Sequence, residues 1–87
     1  MVKTTYINIS EINDLQTKIM QFVDVWVHER KTLVPRSEII KYMEKQGVNF
    51  PTVRASLYAL LKKGYLRKSD KISNKTYFIQ LRRVDEN

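Results

Sequence analysis

Residues 46–66 read QGVNFPTVRASLYALLKKGYL. Between Gly47 and Gly64 lies a short amphipathic segment in which Val53, Leu57, Leu60 and Leu61 recur at i, i+4, i+7 and i+8. That spacing puts all four on one face of a helix, so all four are expected to be buried. The other face carries Thr52, Arg54, Ala55, Tyr58, Lys62 and Lys63, with no acidic residue. Asn49 can cap the helix by accepting from the N–H of Thr52, and Pro51 loses nothing in a first turn whose N–H groups have no partner. A residue before proline is pushed away from helical dihedrals, so the boundary falls at Asn49 or Phe50. Lys62 and Lys63 suit the negative pole of the helix, and Gly64 can adopt the left-handed conformation of a C-cap.

Working back toward the N-terminus, Gly47, Val48 and Asn49 form a turn, and before it Ile39, Ile40 and Met43 mark the buried face of a second short helix. Pro35 stands where that helix begins, and it ends at Lys45 or Gln46 with Gly47 as its cap. Two short helices joined by about three residues that include glycine have the form of a helix-turn-helix. Leu33 and Val34 precede Pro35 as a very short extended piece. Earlier still, apolar residues at 12, 15, 19, 22, 23, 26 and 27 predict a helix ending near Arg30. Ser10 is its expected N-cap, with Glu11 and Asp14 in the first turn. The seam Ile12, Leu15, Ile19, Phe22 and Trp26 either packs on the helix's own domain or meets a second copy. It spans too few heptads for a sustained coiled coil. Residues 1–9 are expected to form an N-terminal arm, extended or lying on the domain.

Beyond Gly64, Tyr65 to Ser69 and Thr76 to Leu81 are rich in β-branched and aromatic residues and flank a polar tip, Asp70 to Lys75. This is a β-hairpin by the usual signals, with Asn74 at positive φ. Tyr77, Ile79 and Leu81 share one face of its second strand and Thr76, Phe78 and Gln80 the other, and alternation does not choose the inward one. Residues 84–87 read as a frayed tail after a domain of residues 10–83.

An 87-residue chain makes one domain, whose small core gains from dimerisation. The sequence has no cysteine, which excludes disulfides, thiolate metal sites and thiol catalysis and favours an intracellular setting. Neither a membrane-spanning run nor the apolar core of a signal peptide is present, so a soluble, unprocessed protein is expected. Of the formal charge of +7, residues 1–29 contribute two basic and four acidic side chains, and residues 30–83 contribute fourteen and three. All the positive excess therefore lies around the opening stretch. Such a surface attracts a polyanion, with nucleic acid first and an acidic membrane or protein as alternatives.

The element order of helix, short strand, helix, glycine turn, helix and hairpin resembles the winged helix-turn-helix domains of prokaryotic, plasmid and phage DNA-binding proteins. Val48, Asn49, Thr52, Val53, Leu57, Leu60, Gly64, Tyr65 and Leu66 carry the likeness, which covers residues 12–81. It implies an α+β, mainly helical fold, with residues 50–63 as a recognition helix in the major groove and residues 65–81 as a wing on the backbone or minor groove. Phe50 and Pro51 depart from the pattern, where small or polar residues are more usual. Phe50 either contacts a thymine methyl or tucks into the core.

On this reading Arg54 can donate twice to O6 and N7 of guanine, or it contacts a phosphate. Thr52 caps the helix or touches a phosphate, and Tyr58 donates to a phosphate, stacks on a sugar edge or packs against the wing. Arg36 and Ser37 open the second helix, where free N–H groups can hold a phosphate or are simply capped. Asn49, Lys62, Lys68, Lys71, Asn74 and Lys75 complete the expected DNA-binding set. His28, the only histidine, has no cysteine or second histidine with which to build a metal or catalytic site. Trp26 fits the buried seam better than a base-stacking platform. No enzyme activity, metal or cofactor is expected. The partner expected is double-stranded DNA, bound by a homodimer formed through the first helix and N-terminal arm, in a cytoplasmic, nucleoid-associated regulator. A replication or plasmid-partition factor and a protein-interaction module are the alternatives.

Overall fold

A computed structural model describes residues 12–83. The expected N-terminal arm, Ser10, Glu11 and the tail lie outside the described residues. Within them the chain is a mainly helical α+β structure. Its elements are α1 (Asp14–Arg30), β1 (Val34–Pro35), α2 (Arg36–Lys45), α3 (Phe50–Lys62), β2 (Leu66–Lys68) and β3 (Tyr77–Gln80).

The first helix starts later than Ser10 would place it, leaving Ile12 outside. Asn13 is the N-cap: its Oδ1 accepts from the Gln16 N–H at 2.8 Å, and its own N–H donates to Gln16 Oε1 at 3.3 Å. This reciprocal pair satisfies two groups that a bare helix end leaves unpaired. The helix stops at Lys31, which adopts a left-handed conformation and donates its N–H to Val27 O.

Both glycines end helices in the same way. Gly47 has φ +84° and Gly64 φ +82°. After α2, Val48 donates to Met43 O and Gly47 to Glu44 O; after α3, Tyr65 donates to Leu60 O and Gly64 to Leu61 O. Each is a Schellman closure, in which two carbonyls of the last turn are satisfied as the chain reverses. At the head of α3, Asn49 is the cap, accepting from Thr52 N–H at 3.1 Å, so the boundary falls at Asn49.

The three strands form an antiparallel sheet in the order β1-β3-β2. The short extended piece is therefore a strand in its own right: Val34 pairs with Phe78 and Pro35 with Tyr77. On the other side of β3, Leu66 pairs with Gln80 and Lys68 with Phe78. The hairpin ends in a two-residue turn at Ser73 and Asn74, both at positive φ, closed by a bridge between Ile72 and Lys75. Positive φ at both positions gives the turn whose twist matches that of the strands. The bridge is out of step by one residue with the β2–β3 register, so the Asp70 side of the hairpin carries one extra residue.

Ile19, Met20 and Val23 from α1, Ile39 and Met43 from α2, and Val53, Leu57 and Leu60 from α3 close on Val34, Tyr65, Leu66 and Phe78. Phe78, 2% exposed, settles which face of β3 is inward. The α1 stripe is rotated from the expected seam. Met20 and Gln16 are buried, while Ile12, Leu15, Phe22 and Trp26 flank the core half-buried. Ile40 and Leu61, also expected inside, are half-buried.

Candidate nucleic-acid interface

The polar face of α3 follows from its own periodicity. With Val53, Leu57 and Leu60 turned into the core, Thr52, Arg54, Ala55, Tyr58, Lys62 and Lys63 are all exposed. Tyr58 is 63% exposed, and the Lys62 ammonium lies 5.6 Å from its ring centre. That cation–π contact holds a charge over an otherwise open aromatic.

Three elements meet beside this face. A groove of about 540 Å³ runs between α3, the start of α2 and the sheet. Four of the expected site residues line it together: Arg36, Arg54, Tyr58 and Lys68. Arg36 reaches it because Pro35 ends β1 and α2 begins at the next residue, where the Arg36 N–H donates to Thr76 O at 2.9 Å. Among the described residues none of Arg36, Arg54 and Lys68 forms an ion pair. The lining contains no carboxylate, so the groove has uncompensated positive charge.

The remaining expected residues are placed individually. Ser37, on the first turn of α2, and Thr52, on that of α3, are exposed and outside the groove lining. Asn49 is exposed, but its Oδ1 is already engaged in capping α3. Lys71 and Lys75 are exposed on the hairpin, and Asn74 occupies the left-handed position of its turn, so its side chain is exposed while its backbone sets the reversal. Phe50 is not tucked into the core: it is 40% exposed, with the Arg36 guanidinium 5.7 Å from its ring centre. The contact links the first residues of α2 and α3.

Sequence reasoning did not single out Thr76 or the apolar floor of the groove, made by Pro51, Leu57, Leu61 and Phe78. Leu61 carried the available signal. It sits at the edge of the apolar stripe, next to the basic face, and is half-buried because it faces the groove as well as the core. No family model, curated protein or solved structure matches this chain.

A second, smaller groove lies between α1 and α2. Phe22 stacks on Tyr42 with ring centres 4.6 Å apart and is tilted against Trp26 at 5.9 Å. The Arg30 guanidinium covers Trp26 at 4.2 Å, and the indole N–H donates to Leu33 O at 3.2 Å. Trp26 is thus engaged on its ring and at its nitrogen. This groove mixes signs, with Glu29 and Glu38 beside Arg30, Lys41 and Lys45. His28 is exposed, and among the described residues no group of histidines and acids could hold a metal. No helix among them is long and apolar enough to cross a membrane.

Asp24, on α1, accepts from Arg83 Nε at 2.9 Å and Nη2 at 3.1 Å, and from Gln80 Nε2 at 3.2 Å. The Arg83 guanidinium holds its carboxyl below the ordinary carboxylate value against a modest opposing effect of burial. This clamp ties the chain after β3 to α1.

Proposed function

We propose that this chain is a winged helix-turn-helix protein that binds double-stranded DNA, with α3 in the major groove and the β2–β3 hairpin as a wing on the backbone or minor groove. One observation carries the reading. Cations from the start of α2, from α3 and from the hairpin border one groove without an acidic residue in its lining, beside a helix face that is itself wholly polar or basic apart from Ala55. Phosphates gain from such a cluster because each neutralised phosphate releases condensed counterions. Arg54, one turn into α3 and exposed, is the residue with the geometry for a bidentate contact to guanine, while Arg36 and Lys68 serve the backbone. Phe50, standing exposed at the head of α3, can meet a thymine methyl.

The biological role that fits is a small sequence-specific regulator, repressor-like and nucleoid-associated, acting as a homodimer on a two-fold site. The α1–α2 groove, aromatic at its centre and carrying both signs of charge, favours α1 as the surface between copies. The same groove also favours a second reading, in which it docks a different protein and the basic face is incidental.

Fluorescence anisotropy with a random-sequence duplex separates the two. DNA binding predicts saturable association at low salt, lost on reversing the charges of Arg54, Lys71 and Lys75. Absence of binding at low salt would end the DNA reading in every form and leave the protein-docking reading of the α1–α2 groove.

A further inference from the structure

The groove beside α3 is built for more than phosphates. At about 540 Å³ it lies within the range of pockets that enclose small ligands. Its floor is apolar: Leu61, half-buried, and Pro51, exposed, offer hydrocarbon to it, with the core residues Leu57 and Phe78 closing it from beneath. Over that floor stand Arg36, Arg54 and Lys68, and no acidic side chain opposes them. A phosphodiester uses the cations and gains nothing from burying hydrocarbon. An organic anion with an apolar body uses both.

We infer that this groove binds a small amphipathic carboxylate, an acid group on an aromatic or branched hydrocarbon body, and that the bound anion excludes DNA from α3. The exclusion rests on the proposed DNA-binding function; the binding site does not. A guanidinium pairs with a carboxylate through two parallel N–H donors, which fixes the orientation of the acid as well as its position. Arg36 is already held by the Phe50 ring, so less side-chain freedom is lost when it engages an anion. The hydrocarbon body displaces water from half-buried Leu61 and exposed Pro51, adding affinity in proportion to the apolar area covered. Occupation would offset one of the three positive charges of Arg36, Arg54 and Lys68, which the DNA complex needs, and place the ligand body between them and DNA. The groove is thereby a point at which a metabolite of this class would release the protein from DNA.

The test uses the full chain and 4-phenylbutyrate, followed by backbone amide shifts in ¹H–¹⁵N NMR. Two controls each remove one half of the ligand: 4-phenylbutanol lacks the charge and butyrate lacks the ring. Saturable shifts at Ala55, Tyr58 and Thr76 are expected for the acid, with 4-phenylbutanol weaker by about tenfold or more, the scale of one charge-assisted contact, and butyrate weaker as well for want of the ring's apolar area. Arg54→Gln and Arg36→Gln should each weaken the acid while leaving the alcohol unchanged. Equal affinity for acid and alcohol, shifts centred outside the groove, or no saturation at millimolar ligand would overturn the site. Anisotropy with duplex DNA then tests exclusion. The apparent Kd should rise in proportion to phenylbutyrate, and simultaneous binding without mutual effect overturns that part. Failure to bind duplex in the absence of phenylbutyrate counts against the DNA reading, and with it the exclusion, but leaves the anion site standing on its shifts.

Discussion

If the basic side of the molecule engages the DNA backbone, the salt dependence of binding is set by a small set of side chains. Arg36, Arg54, Lys62, Lys68, Lys71 and Lys75 are expected contacts, and among the described residues none of them is in an ion pair. With all of them on phosphates, log K should fall against log salt with a slope of about −5, since each contributes about 0.9 on B-form DNA. Between about 50 and 200 mM salt that amounts to roughly a thousandfold loss of affinity. Moving Arg54 from phosphate to a base edge makes the slope shallower by about one unit, so the intercept and slope together report its role. The assay is anisotropy of a labelled random duplex over a salt series, repeated with single alanine variants. Lys75→Ala should make the slope shallower by about 1. Lys41→Ala should leave it unchanged, because Lys41 lines the α1–α2 groove and is paired with Glu38 at 3.8 Å. Equal decrements for Lys41 and Lys75, or a slope near zero, would refute the assignment of the interface to α3 and the hairpin.

Three further outcomes are expected. Arg54→Ala should weaken a selected specific site by about 1–3 kcal/mol and random DNA by less; equal losses on both, measured side by side, would identify a phosphate contact. Gly64→Ala should destabilise by about 1–2 kcal/mol although nothing lies within 4 Å of the added Cβ, because φ is +82°. Urea unfolding should show the midpoint falling at constant m-value, and Gly64→Asn should recover part of the loss, since Asn tolerates this conformation better. Asp24 is held below its ordinary value of 3.8, first of all by the Arg83 guanidinium, so its folded-state pKa lies under its unfolded one. Its stabilising contribution is therefore present above pH 3.8 and is lost as pH falls through the depressed value. Asp24→Asn should accordingly cost stability at neutral pH, and the gap to the wild type should narrow under acid denaturation. A gap independent of pH would mean that the carboxylate charge is not what holds the clamp.

The parts of the fold legible in the sequence are those fixed by local chemistry. Asn49, Gly47 and Gly64 each solve a problem within a few residues of themselves, and α3 lies between them as its stripe predicts. The start of α1 shows the limit of that reasoning. Ser10 and Asn13 are both good cap residues, and the pairing of Asn13 with Gln16 three positions on was the distinguishing signal. The rotation of α1 was beyond reach because its apolar residues cover a wide arc, and only packing against the other elements selects Met20 over Phe22 for the centre. The pairing of β1 with β3 is equally non-local: a two-residue strand carries no periodicity. For the site, the exposure of the α3 face was legible, being the complement of a buried stripe. Its meeting with Arg36, Lys68 and Thr76 was not, since that depends on where β3 docks.

The strand order has a consequence for how this chain can be made. β3 is the last of the described strands to leave the ribosome, yet it lies in the middle of the sheet, and β1 and β2 touch it from either side. Until Tyr77–Gln80 emerges, neither earlier strand has a neighbour, and the Phe78 ring is missing from the hydrophobic interior. A nascent chain halted before that point holds helices without a sheet to rest on. Assembly of the sheet consequently waits on β3, and the cationic groove, which has Thr76 and Phe78 in its wall, comes into being with it.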